Sequence, residues 1–206
     1  MKTVRRLATA NEIAILLLIA GCTFPGPQEP TPTPASAPVS LWDAYRRADA
    51  TVRAEASDAE LVSASTQWQA IDPERLLDAS SHWTFVFYSP SQKVVFDLTA
   101  DASRVQVANR TQVWTTPQTL DFGRWQEGPR DALSIFLAYG GYDFLEAHPE
   151  ATVSLHLAAT EDGKTVWNVA ALDIASRETI SIQIDAANLQ VLAISPETRW
   201  RRRKKG

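Results

Sequence analysis

The chain is poor in the residues that metal and redox chemistry most often require. Of its 206 residues one is cysteine, Cys22, and three are histidine, His82, His148 and His156. A single cysteine excludes an internal disulfide and a thiolate metal cluster, so the fold must rest on its core. The histidines share no ligand spacing such as His-Glu-x-x-His, and no metal or cofactor site is expected. There is no Gly-x-Ser-x-Gly elbow, no phosphate-cradling loop and no Gly-x-Gly-x-x-Gly turn. Composition does not exclude a serine nucleophile, since Ser134, Ser154 and many acids are present, but no such motif marks one. Long apolar runs are missing too: Ile13 to Ala20 stops at Gly21 and is preceded by Asn11 and Glu12, well short of the ~20 residues a membrane helix needs.

What is present is globular. Apolar residues make up 45% of the chain and aromatics 9%, a composition able to fill a core. The segment from Leu41 to Ser195 is long enough to do so. The three histidines are expected in structural or solvated roles: His82 opens a strand, His148 precedes Pro149 at a helix end where the dipole favours an imidazolium, and His156 alternates with Leu155 and Leu157 on the less apolar strand face. Asp101 and Asp185 read as turn caps rather than paired catalytic carboxylates, because Asp side chains bond nearby backbone amides.

The N-terminus carries Lys2, Arg5 and Arg6, then the short apolar run, then Ala20, Gly21 and Cys22. A charged start, short apolar centre and small-residue exit form a targeting pattern. It resembles the signal sequence of bacterial lipoproteins, which implies removal of residues 1–21 and acylation of Cys22. At about 0.8 kcal/mol per buried methylene, two or three acyl chains hold a protein durably on a membrane. The implied address is outside the cytoplasm, on the outer face of the plasma membrane or on an outer membrane. Residues 22–40 follow as a Pro/Thr-rich linker holding six of the twelve prolines. At about 3.1 Å per residue it spans up to roughly 50 Å.

Charge is divided. From Cys22 to Glu197 there are eleven Lys and Arg against twenty-three Asp and Glu, while residues 196–206 form a basic tail with Arg199, Trp200, Arg201, Arg202, Arg203, Lys204 and Lys205. Three readings of the tail stand: a solvated end, contact with anionic head groups or envelope polymers, or docking on the acidic body. An exported lipoprotein rarely meets nucleic acid, and none is expected as partner.

An offset of 84 places Trp83 on Trp167, Lys93 on Arg177, Leu98 on Ile182, and Asp101, Ala102, Gln106 and Val107 on Asp185, Ala186, Gln190 and Val191. Trp83, Phe85 and Phe87 alternate with polar or smaller residues, as do Trp167, Val169 and Ala171, so both segments read as strands with one buried face. Upstream, Val62 and Ser63 meet Val153 and Ser154 at an offset of 91. The extra residues of the first copy, Ile71 to Leu77, start with Asp72 and Pro73 and predict a short helix. Helices are expected over 41–56 and 130–147, the second weakened by Gly140 and Gly141, and strands near 60–68, 82–89, 93–99 and 104–108. The expected fold class is α+β: two tandem αββββ repeats, each a helix on an antiparallel sheet, at 41–110 and 129–195. The connector 111–128 contains Trp114, Phe122 and Trp125, which are expected to pack between the repeats or else to offer a platform to a partner.

Trp167, Asn168 and Val169, then Ile184 to Leu192, resemble the PepSY family of small helix-plus-sheet modules. That resemblance implies a non-enzymatic role in binding or restraining partner proteins, often peptidases. The family places Gly in the last turn where this chain has Leu189 and, in the first copy, Val105. Because such side chains resist positive φ, a turn of another shape is expected. The functional expectation is a membrane-tethered binding module that holds a peptide or protein partner. An envelope scaffold without a ligand, and a hydrolase with an unrecognised site, stand behind it. The residues expected to matter are Cys22 for lipid attachment, and Trp114, Trp125, Arg199, Trp200, Arg201, Arg202 and Arg203 for contact with a partner or surface.

Overall fold

Period-two alternation dominates the sequence from Glu60 onward. The computed structural model, which describes residues 37–120 and 128–195, turns it into eight antiparallel strands with helices on one face. Helix α1 (Leu41–Glu55) precedes β1 (Glu60–Gln69), the short α2 (Pro73–Leu76), β2 (Trp83–Ser89), β3 (Val94–Ala100) and β4 (Val105–Gln112). Then come α3 (Pro129–Phe136), a π-helical turn at Leu137–Gly141, α4 (Tyr142–Ala147), β5 (Thr152–Ala159), β6 (Thr165–Asp173), β7 (Glu178–Asp185) and β8 (Val191–Ser195). The architecture is α+β, and all eight strands belong to a single sheet in the order β4-β3-β2-β1-β5-β6-β7-β8.

Local chemistry sets the helix starts. The Ser40 hydroxyl accepts the Asp43 N–H at the head of α1, and Asp72 caps α2 in the same way, with Pro73 supplying a preset φ. Along α1 the buried positions Leu41, Ala44, Ala48 and Val52 are mostly small, which lets the helix lie close on Phe85, Phe87 and Phe96 of the sheet. Arg47 donates to the carbonyls of Asp101 and Ala102, and Arg110 of β4 forms a bidentate pair with Glu55 at 2.6 to 3.0 Å. These contacts tie α1 to the β3–β4 side.

The helix expected over 130–147 is broken. Tyr139 leaves helical geometry and Gly140 takes φ 111°, a conformation that side chains resist. Gly141 then meets Phe136 so closely that an added Cβ would lie 2.4 Å from its ring. The glycines therefore do more than weaken the helix: they make a kink that lets the α3 and α4 segments each bury residues, Leu133 and Phe136 on one and Leu145 on the other.

Strand pairing follows the alternation closely. In β2–β3, Trp83 opposes Ala100, Phe85 opposes Leu98 and Ser89 opposes Val94; in β6–β7, Trp167 opposes Ile184, Val169 opposes Ile182 and Asp173 opposes Glu178. Every pair of one hairpin lies 84 residues from a pair of the other. Lys93 and Arg177, at matching places in the two tight turns, both take left-handed backbone, φ 54° and 61°. The last turns differ by two residues, since Ala100 pairs with Val105 but Ile184 pairs with Val191. This corrects the ungapped alignment at its end: the strand starts Val105 and Val191 correspond, and Leu189 lies in the longer turn. It also corrects the expectation about that turn. Leu189 does adopt positive φ, 60°, while its half-buried side chain packs on the core.

The centre is β1 against β5, antiparallel, with Ser65 opposite His156 and Trp68 opposite Val153. Trp83, Phe85, Leu98, Leu155, Leu157, Trp167 and Ile182 are almost wholly buried and belong to one hydrophobic cluster that crosses this seam. No helix among the described residues is long and apolar enough to cross a membrane.

Candidate functional site

Helices cover one face of the sheet, and alternation puts the other side chains on the opposite face. Across the four central strands that face carries Thr84 and Val86 from β2, Ser63, Ser65 and Gln67 from β1, Ser154, His156 and Ala158 from β5, and Asn168 and Ala170 from β6. None of these is ionised when His156 is neutral. Partial burial among its neighbours pulls the His156 pKa down, which keeps the imidazole neutral at physiological pH. Two shallow depressions meet at His156. One, about 530 Å³, is lined by Ser65, Gln67, His82, Thr84 and Ser154. The other, about 430 Å³, lies toward Ser63, Gln118 and Glu161. Hydroxyls, amides and imidazole on a flat floor can exchange hydrogen bonds with a polar chain. Among the described residues no acid is hydrogen-bonded to His156 to make it a general base, although Glu161 lines the same depression.

Several other polar side chains are bonded into turns and clips. Asp101 accepts the N–H groups of Ser103 and Arg104 and the Ser103 hydroxyl, which holds its carboxyl well below the usual carboxylate range. Asp185 accepts the Ala187 N–H. Both expected turn caps are therefore seen to bond their own turns. His148 sits between two carboxylates, Nδ1 at 3.0 Å from Asp173 and Nε2 at 2.8 Å from Glu178, with the Phe144 ring 4.6 Å away. Asp173 also accepts the amides of Ala175 and Ser176, and its pKa is lowered, chiefly by the Ser176 hydroxyl and with His148 contributing. This clip ties the end of α4 to the β6–β7 turn. The sequence offered only the helix end at His148; Asp173 and Glu178 are 25 and 30 residues away, and only the hairpin brings them together. Among the described residues no cluster of His, Cys, Asp and Glu has the arrangement of a metal site.

The sheet does not close on itself. Its edges are β4 and β8. Trp114, two residues beyond the end of β4, is 94% exposed. It does not pack between the two halves of the chain, which the pairing of β1 with β5 joins directly. Cys22, Trp125, Arg199, Trp200, Arg201, Arg202 and Arg203 lie outside the described residues, as does Phe122.

No family model matches the chain, and no curated protein matches it. Among solved structures, the chain is similar to the crystal structure of a "putative lipoprotein" from Clostridium difficile 630, at 15% identity, covering 77% of this chain and 92% of that one, with a TM-score of 0.49. At that level of likeness nothing about the present chain's function follows from it.

Proposed function

We propose that the protein is a lipid-anchored binding module working outside the cytoplasm, built of two PepSY-like αββββ halves and holding a peptide or protein partner rather than turning over a substrate. The observation that carries this reading is how the polar groups are used. Asp101, Asp173, Asp185 and His148 are bonded into turns and a clip, whereas among the described residues one sheet face carries no helix and the edges β4 and β8 have no neighbouring strand. An uncovered edge has unmet backbone donors and acceptors, which an added strand satisfies. Duplication is supported by the hairpins that keep an offset of 84 through every pair, by the left-handed Lys93 and Arg177, and by the pairs Ser65–Thr84 and His156–Asn168, whose first strands keep the offset of 91. The small-residue exit at Cys22 supports the anchor.

The anchor is tested by expressing the full chain and Cys22→Ser in a bacterial host with labelled fatty acid. The parent is expected to carry label and to sediment with membranes, and the variant to carry none and to move to the soluble fraction. Equal sedimentation of the two sinks the anchor.

A further inference from the structure

We propose that edge strand β4, with Trp114 at its exit, is the docking site for an extended peptide that adds to the sheet antiparallel to β4 and carries acidic and apolar side chains at its ends. The inference rests on the reading of this chain as a binding module and deepens it by assigning the place and the chemistry of the partner.

The two edges are not equivalent. β8 has five residues and a bulge where Ile184 and Gln183 are passed. β4 has eight residues, every one exposed or half-exposed, with no proline and a single charge, Arg110, already held by Glu55. Natural edges are usually blunted by lysines, prolines or short length, and β4 has only its bulge near Asp97. The Val113 N–H bonds the Lys93 carbonyl. By the alternation of an antiparallel ladder, the Thr111 amide also faces β3, while those of Arg110 and Gln112 face outward. Outward amides and carbonyls in strand spacing are complementary to an extended backbone and to little else.

Trp114 supplies the second observation. A tryptophan 94% exposed in the described chain, with no bonding partner there, is an apolar surface awaiting cover. It lies two residues past the end of β4, at a bend of the chain, so an added strand running antiparallel would bring its N-terminal end toward it. Charge supplies the third. Lys93 and Arg104 are exposed near the two ends of β4; Lys93 has no ion pair among the described residues, and Arg104 is 3.7 Å from Asp101, whose carboxylate is engaged with its own turn. In a body whose balance is strongly acidic this edge presents exposed cations, which favours a peptide with a carboxylate toward each end.

The test uses the detergent-solubilised full chain and a blocked nine-residue peptide alternating Thr and Val, with Leu second from its N-terminus and Glu at both ends, fluorescently labelled. Binding is read by polarisation. Saturable binding is expected, weakened at least about tenfold by Trp114→Ala, by Gln112→Pro, which removes an outward N–H and leaves the ladder to β3 intact, and by replacing both Glu of the peptide with Lys. Ile194→Pro on β8, where the amide faces away from β7, is expected to change nothing. Circular dichroism of each variant is expected to match the parent. No saturable binding, binding indifferent to Trp114→Ala and Gln112→Pro, or binding lost on Ile194→Pro overturns the assignment. So does a concentration-dependent dimer, by sedimentation, that these two β4 variants abolish, since the occupant is then a second copy. Membrane partition of Cys22→Ser reads the anchor independently, so failure of the edge and failure of the tether are told apart.

Discussion

At the scale of single residues, positive φ is where this chain departs from what its side chains prefer. Lys93 and Arg177 are unbranched at Cβ and exposed, so their left-handed turns cost only the local clash. Leu189 is different, because it holds φ 60° while its side chain is half-buried against the core. The clash of Cβ with the backbone costs roughly 1–2 kcal/mol for a residue with a side chain, and packing of the Leu methyls offsets it. Truncation separates the two terms. Leu189→Ala removes the methyls and keeps the clash, whereas Leu189→Gly removes both. Leu189→Gly is therefore expected to be more stable than Leu189→Ala by about 1 kcal/mol, the reverse of the order at an ordinary position. Urea midpoints of the two variants check this; an Ala variant as stable as the Gly variant means the position is not strained. The absence of Gly here predicts a change of turn. Local pattern does not show that a two-residue extension lets a leucine occupy the left-handed place with its side chain packed on the core.

At the scale of elements, strands were legible and helix continuity was not. Alternation has a period of two, and one slip reverses every side chain, so Trp83, Phe85 and Phe87 and their counterparts at Trp167, Val169 and Ala171 announced both phase and buried face. The pairs Phe85–Leu98 and Val169–Ile182 follow from that alone. Helical spacing across Arg130 to Ala147 gave no warning of a π turn, because Leu133, Phe136 and Leu137 fit an unbroken helix equally well. The break falls at Tyr139 and Gly140 and comes with close contact of Gly141 against the Phe136 ring. Gly141→Ala is expected to destabilise the fold by about 1–3 kcal/mol, the usual cost of forcing an atom into a packed interior. Gly141→Ala combined with Phe136→Leu is expected to lose less than the sum of the two single changes, since the smaller side chain vacates the clash. Thermal or urea unfolding of the three variants gives the coupling. Strict additivity would mean that the glycine serves only its backbone angle.

At the scale of the whole molecule, the question is whether the two halves, which the sequence presented as successive repeats, behave as one body. Nothing in local periodicity says that β1 must pair with β5: each is an alternating strand that would pair as well with several others, and the choice depends on contacts nearly a hundred residues apart. The structure makes that pairing the centre of the sheet, with Ala64, Trp68, Val153, Leu155 and Leu157 buried along the seam and included in the same apolar cluster as both tryptophan-bearing strands. A shared core is expected to unfold as one cooperative unit. Leu155 lies in the seam, fully buried, paired with Thr66 on one side and Val169 on the other. Leu155→Ala is expected to lose about 2–5 kcal/mol through transfer and cavity terms together. The loss should fall equally on distant strands. In native-state amide exchange, the slowest amides of β3, which lies on the α1 side, and of β7, on the α3 side, are expected to lose the same protection. If only the β5–β7 amides lose protection and those of β3 hold, the seam is a contact between two independently stable modules. A partner added at β4 would then steady only the half it touches, whereas a single cooperative sheet passes that gain to every strand from β4 to β8.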